Sequence, residues 1–121
     1  MTEVLTQAST ERPTIVVMTA AQVTSYSTEA LEEARRQFAG IETVPLDRIT
    51  ETNILDAWDR AAIALEDAFG AISLLNSVHP DKEVRDAGDV ALIQESSFIT
   101  ELFQNEALYE RVRRVDRKSV V

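Results

Sequence analysis

The side chains that could do chemistry are few and scattered along this sequence. His79 is the sole histidine, whereas an H-E-x-x-H zinc motif needs two imidazoles. The 121 residues include no cysteine, which excludes thiolate zinc sites and cysteine nucleophiles. Ser96-Ser97 has no histidine nearby in sequence to act as its base. We therefore expect no catalytic residue and no metal ligand in this chain, and the substrate-binding residues are unknown.

The carboxylates are numerous, but their spacing does not suit acid–base catalysis. The pairs Glu32-Glu33 and Glu66-Asp67 are adjacent, so on a helix their side chains point about 100° apart. A carboxylate dyad needs two groups that share one site. No E-x-x-H motif for a di-iron bundle is present. A phosphate-binding loop is also excluded, because the glycines are isolated at Gly40, Gly70 and Gly88.

A candidate interface lies on the third predicted helix, residues 81–104. With Val84 at zero on a helical projection, most apolar side chains, Phe103 among them, span about 160° of arc, and Glu95 falls inside that arc. Val90 and Ile93 fall outside it, so the apolar surface is wider than one helical neighbour needs. Either other helices of this chain cover it, or another domain does. Glu95 is interpreted as an edge residue that reaches solvent or an arginine, with an ion pair to another domain as the alternative.

Four helices are expected to position these residues, which makes the fold class all-α. The first spans about 20–41. Ser27 or Thr28 is expected to cap the part of this helix that carries the clearer apolar stripe, and Gly40 is expected to end it. The fourth starts near Asn105 and runs towards Arg117. Residues 1–18 are predicted to be an extended or partly disordered arm, and 19–121 a single helical domain.

A long antiparallel hairpin of helices 51–78 and 81–104 forms the centre of this predicted fold. Asp47 or Thr50 can cap its first helix. Trp58 and Phe69 lie in the apolar stripe and are assigned to the core. Asn76 lies on the same face near the helix end, where its amide needs partners, so it is assigned to locking the turn. Pro80 breaks the helix and suits the first turn of the next one.

Charge is unevenly distributed along the chain. The net charge of −9 divides into −13 for residues 1–110 (7 basic, 20 acidic) and +4 for residues 111–121 (5 basic, 1 acidic). An acidic body disfavours nucleic acid and anionic membranes as partners. The basic end is either a helix terminus whose cations complement the dipole, which we favour, or a small polyanion-binding tail. With no long apolar run and no cationic leader, the chain is expected to be cytoplasmic and not to span a membrane.

Three short motifs follow one another in the second half of the chain. Leu75-Asn76-Ser77-Val78 precedes Glu83-Val84-Arg85-Asp86-Ala87, and Asn105-Glu106-Ala107-Leu108-Tyr109 comes after a further helix. In this order and spacing they resemble the N-terminal helical region of the thimet oligopeptidase and oligopeptidase A family of zinc metallopeptidases. The similarity covers roughly residues 50–115, with weaker support from 20–45. The run 14–18 departs from the proline- and aromatic-rich start expected of that family.

The resemblance implies a role within a larger enzyme. Members of the family are several times longer than this chain, almost wholly helical, and cleave short peptides in a channel between two lobes. Their N-terminal helices wall that channel and limit access to oligopeptides. Because the zinc ligands and catalytic glutamate lie far downstream, no such residue carries over, and zinc is implied only for the full-length enzyme. The implied partners are the remainder of the metallopeptidase chain and, for the whole enzyme, short peptide substrates.

A different class of function remains open on the same residues. A stand-alone helical protein-interaction module, as a homodimer, would also cover the wide apolar surface of the third helix. A small independent enzyme is disfavoured, because one histidine and no cysteine leave no convergent catalytic set. The two leading hypotheses differ in whether a catalytic domain or a second copy lies against that surface.

Overall fold

The computed structural model describes residues 17–120, with side chains as far as Arg117, and the regular structure in that range is entirely helical. Four α-helices follow in order: α1 (Ala20–Glu42), α2 (Ala57–Val78), α3 (Lys82–Phe103) and α4 (Glu106–Val120). A 3-10 turn (Leu46–Arg48) and a π-helical turn (Thr52–Asp56) lie between α1 and α2. The prediction of an all-α fold with about four helices is confirmed. The predicted arm falls mostly in residues 1–16, which lie outside the described residues.

The first helix, Ala20–Glu42, has the predicted limits to within a residue, but its capping residues differ from those predicted. Thr19 forms a capping box with Gln22, because Gln22 N donates to Thr19 Oγ1 (3.1 Å) and Thr19 N donates to Gln22 Oε1 (2.9 Å). The predicted cap at Ser27 or Thr28 is wrong, since Ser27 is buried inside α1 and its hydroxyl donates to the Thr24 carbonyl. Gly40 does not end α1 either; the helix continues to Glu42.

Two of the three later helical segments begin with side-chain caps, whereas α3 begins after Asp81 without one. Of the two residues predicted to cap the second helix, Thr50 does so: its Oγ1 accepts from Asn53 N (3.1 Å) and its N donates to Asn53 Oδ1 (2.8 Å). Asn105 Oδ1 accepts from Leu108 N (3.1 Å) at the start of α4, as its cap prediction requires. Asn105 Nδ2 also donates to Glu42 Oε1 (2.6 Å), which ties this turn to the end of α1.

The core lies between three long helices, with α4 across one end. Each of α1, α2 and α3 packs against the other two, while α4 contacts α1 and the π-helical turn. Phe38 of α1 is central, with its ring 4.8 Å from the Trp58 ring in an edge-to-face arrangement and 6.1 Å from the Phe98 ring. The largest side chains under 2% exposed are Val23, Ile49, Ile54, Ile72, Leu108 and Val115.

The second helix is the most apolar in the described part of the chain. The helix running from Thr52 to Val78 is long and apolar enough to cross a membrane, with a mean hydropathy of 1.3, which corrects the expectation that no stretch qualifies. Within the bundle, however, its inner face is buried by α1 and α3, as Phe69 and Ile72 illustrate. Glu66 and Asp67 lie in the middle of the apolar stretch, where a bilayer would make charge costly. One third of its most apolar 18-residue window is buried, so core packing accounts for the inner face of this helix, while Ile63, Leu74 and Val78 remain exposed.

Candidate functional site

Trp58 and Phe69, both assigned to the core, have different surroundings. Phe69 is 3% exposed and lies inside the core. Trp58 is only half-buried: its ring contacts Phe38, and it also lines a groove at the surface. The sole tryptophan of the sequence therefore stands between the core and a surface site.

Asn76 joins α2 to α3. Its Nδ2 donates to the Arg85 carbonyl (2.8 Å) and to Asp89 Oδ1 (2.7 Å). The two helices approach closely at this point, because a Cβ on Gly88 would lie 2.8 Å from Asn76 Cβ. The amide bonds to the first turns of α3, so it ties the two helices together beside the connecting turn.

Pro80 lies in an exposed turn that Arg85 holds closed. Arg85 Nη1 donates to the carbonyls of His79 (2.8 Å) and Pro80 (2.9 Å). The single histidine has a local role as well, because His79 Nδ1 accepts from Asp81 N (3.0 Å). Motif residues on which the resemblance rests, Asn76 and Arg85, thus stabilise the α2–α3 connection directly.

Val90 and Ile93, two of the three predicted interface residues, are exposed on α3. Val90 is 56% exposed and Ile93 is 66% exposed. Ile93 borders a shallow depression between α1 and α3, together with Leu31 and Arg35. Glu95 lies about 160° away from Ile93 around the helix axis and is close to Glu66 of α2. The structure therefore does not bring the three residues into one patch.

Glu95 is a half-buried carboxylate close to a second carboxylate. Burial, and to a lesser degree the charge of Glu66, raise the pKa of Glu95 above its ordinary value. Within the described part of the chain it has no hydrogen bond and no ion pair. Of the two predicted environments, solvent or an arginine, the described residues offer Glu95 partial exposure to solvent and no arginine pair; Arg35 pairs with Glu101 (3.2 Å).

A groove of about 240 Å³ lies where α2, α3 and α4 meet. We call it the apolar groove, and its lining consists mainly of bulky apolar side chains: Leu55, Trp58, Leu102, Phe103, Tyr109 and Val112. Phe103 is 73% exposed and Tyr109 is 65% exposed, although both are aromatic. The sequence placed Phe103 in the apolar arc of the third helix, so periodicity missed its exposure. Its position in the last turn of α3, beside a chain reversal, is the signal that separates it from the core.

Three of the five basic residues of α4, Arg111, Arg113 and Arg114, make local contacts. Arg111 donates to the carbonyls of Val44 (3.1 Å) and Ala107 (2.9 Å). Arg114 and Arg113 both pair with Glu110 and lower the pKa of its carboxyl, chiefly through hydrogen bonds. These contacts favour the structural interpretation of the cluster over a polyanion-binding tail.

The described residues contain no group of three or more histidine or acidic side chains that could hold a metal ion. No family model matches the sequence, and no curated protein matches it. The candidate site is therefore defined by its own geometry, as the apolar groove together with the two neighbouring carboxylates Glu66 and Glu95.

Proposed function

We propose that this chain is a non-catalytic N-terminal helical domain of a zinc-dependent oligopeptidase, similar to the thimet oligopeptidase and oligopeptidase A family. In that role it walls the substrate channel and limits access to short peptides. The zinc and the catalytic residues belong to another part of the enzyme, and the enzyme acts in the cytoplasm.

The observation that supports the proposal most is the position of the motif residues. Asn76 and Arg85 lock the α2–α3 connection, and Asn105 caps α4 while bonding to Glu42 at the end of α1. The motifs thus specify a single arrangement of helices, as expected if the similarity reflects a shared architecture. The exposed aromatic residues of the apolar groove give the domain a surface for packing against the rest of an enzyme.

The proposal is tested by sequencing the gene beyond codon 121 and by assaying this chain together with the catalytic part. We expect the frame to continue beyond codon 121 and to encode H-E-x-x-H several hundred residues downstream. The catalytic part expressed with this chain should cleave a short internally quenched peptide, with activity removed by a chelator and restored by zinc. This chain alone should leave the peptide intact.

The control measures substrate length. The catalytic part without this chain should lose discrimination between a short peptide and an unfolded protein, because one wall of the channel is missing. A stop at codon 121, or unchanged discrimination without this chain, contradicts the proposal.

A second candidate function is a stand-alone interaction module that forms a homodimer. The exposure of Val90 and Ile93 on α3 favours it, since such a face can be self-complementary. Light scattering should then give twice the monomer mass, and Ile93→Asp should restore the monomer. Ile63→Asp, at an exposed apolar residue of α2, is the matched control.

A further inference from the structure

The apolar groove is bordered by acidic groups along the α2–α3 junction. Asp59 lines the groove itself. Glu66 follows Asp59 by seven residues on the same side of α2, about 10 Å further along the helix. Glu95 of α3 lies near Glu66, on the side of α3 that also carries Leu102. We call Asp59, Glu66 and Glu95 the acidic rim.

None of the three carboxylates of the acidic rim forms an ion pair within the described part of the chain. The ion pairs there use other carboxylates, namely those of Glu33, Asp86, Glu101 and Glu110. Glu95 is half-buried beside Glu66, and mutual repulsion together with burial disfavours its charged form. A cation brought to this point would relieve that repulsion. The apolar groove therefore presents uncovered apolar side chains, and the acidic rim, which shares only Asp59 with the groove lining, continues from it with carboxylates that form no ion pair among the described residues.

A helix is the shape that this surface would accept. The groove and the rim together extend along two packed helices, and side chains at i, i+3, i+4 and i+7 of a third helix would lie along such a junction. In helix-in-groove recognition the apolar face of a helix packs into a hydrophobic groove, and here Phe103 and Trp58 supply part of such a lining. Basic side chains beside the stripe would reach the rim.

A second copy of the chain is a poor occupant. A two-fold contact through this face would place each acidic rim near its own symmetry mate, which is repulsive. The one helix of this chain with apolar and basic residues in that combination is α4, within the described range, and it already buries Leu108 and Val115 in its own core.

We propose that the apolar groove and its acidic rim bind an amphipathic basic helix from the catalytic part of the proposed enzyme. The apolar stripe of that helix packs on Trp58, Leu102 and Phe103, and its lysine or arginine side chains pair with Glu66 and Glu95. This inference rests on the proposed function for the source of the helix, and on the groove and rim for its chemistry.

The test uses a synthetic helix as the probe. The probe is an acetylated and amidated peptide of about 18 residues (five turns), built from alanine, a leucine stripe and flanking lysines, without tryptophan. Trp58 is the only tryptophan of the chain, so its fluorescence reports on the groove. We expect saturable binding that weakens with added salt. A peptide with the same leucine stripe and glutamates in place of the lysines should bind at least about tenfold more weakly.

Variants of the chain locate the site. Phe103→Ser, at an exposed position, and the double variant Glu66→Gln with Glu95→Gln should each weaken binding of the lysine peptide by about tenfold. Ile93→Ser, on a different face of α3, is the matched control and should bind normally. Circular dichroism of each variant checks that the fold is retained.

Three outcomes would overturn the inference. Equal binding of the lysine and glutamate peptides would show that the acidic rim does not contribute to binding. Loss of binding in Ile93→Ser alone would show that the peptide binds to the face of α3 that carries Ile93. A dimer of the free chain that Phe103→Ser dissociates would make a second copy the occupant. The assay contains no catalytic part, so its failure is separate from failure of the proposed function, which the reading frame and peptide cleavage decide.

Discussion

At the scale of single residues, Asn76 has the clearest role in the fold. Its amide makes two hydrogen bonds to α3, and it packs against Gly88. Asn76→Ala should lower the free energy of unfolding by about 1–3 kcal/mol, since both bonds are lost at a half-buried site. Urea denaturation followed by circular dichroism measures this. Ser77→Ala, at the exposed neighbouring position, should stay within about 0.5 kcal/mol, and an equal loss there would refute the assignment.

The raised pKa of Glu95 predicts how the stability of the fold depends on pH. Because its folded pKa is raised above the ordinary 4.5, the folded state holds its proton more tightly than the unfolded state. The contribution of Glu95 to the free energy of unfolding therefore falls as the pH rises from about 4.5, the ordinary pKa, through the higher pKa of the folded state. Glu95→Gln removes the effect and should raise the stability at pH 7 by up to about 1 kcal/mol.

The measurement for Glu95 is the unfolding midpoint of both proteins across pH 4 to 8. The difference between Glu95→Gln and the parent should grow with pH in that window. Glu101→Gln is the matched control on the same helix, where loss of the exposed Arg35 pair predicts a small change of opposite sign. A difference that shrinks with pH would contradict the cause assigned to the shift.

At the scale of elements, the α2–α3 contact depends on one small residue. Gly88→Ala would place a Cβ 2.8 Å from Asn76 Cβ, so the helices must separate, at a cost of about 1–3 kcal/mol. Gly70→Ala meets nothing within 4 Å and should instead stabilise α2 by about 0.5–1 kcal/mol. Thermal unfolding of the two variants checks the opposite signs. Stabilisation by both substitutions would mean that the contact at Gly88 is loose.

The elements themselves follow from local sequence to a large extent. Pro80 ends α2, Thr50 and Asn105 cap the helices after them, and the apolar spacing of 54–72 places Ile54, Phe69 and Ile72 in the core. Periodicity places the start of α1 correctly near residue 20 but not its capping residue, because the Thr19–Gln22 box is a short pattern that carries little signal by itself. Gly40 was misassigned because glycine ends a helix only where the backbone turns left-handed, and here it does not.

At the scale of the whole molecule, net charge opposes folding. The chain carries −9 overall, and the ion pairs of the described part lie at the surface, where each contributes little. Screening should therefore stabilise the protein: the midpoint of thermal unfolding should rise from about 10 mM to about 300 mM NaCl. Glu66→Gln with Glu95→Gln should show a smaller rise. A midpoint that falls with salt would mean that the surface ion pairs outweigh the repulsion.

The sequence by itself determined the all-α class and most helix limits, because these depend on composition and on contacts within a few residues. Only the tertiary structure decided which apolar residues remain uncovered. Periodicity placed Trp58 and Phe103 on apolar faces equally with Phe69, yet the packing of α4 and the end of α3 leave them at the apolar groove. Likewise, Glu95 and Glu66 become neighbours only when α2 and α3 pack together, since 29 residues separate them along the chain.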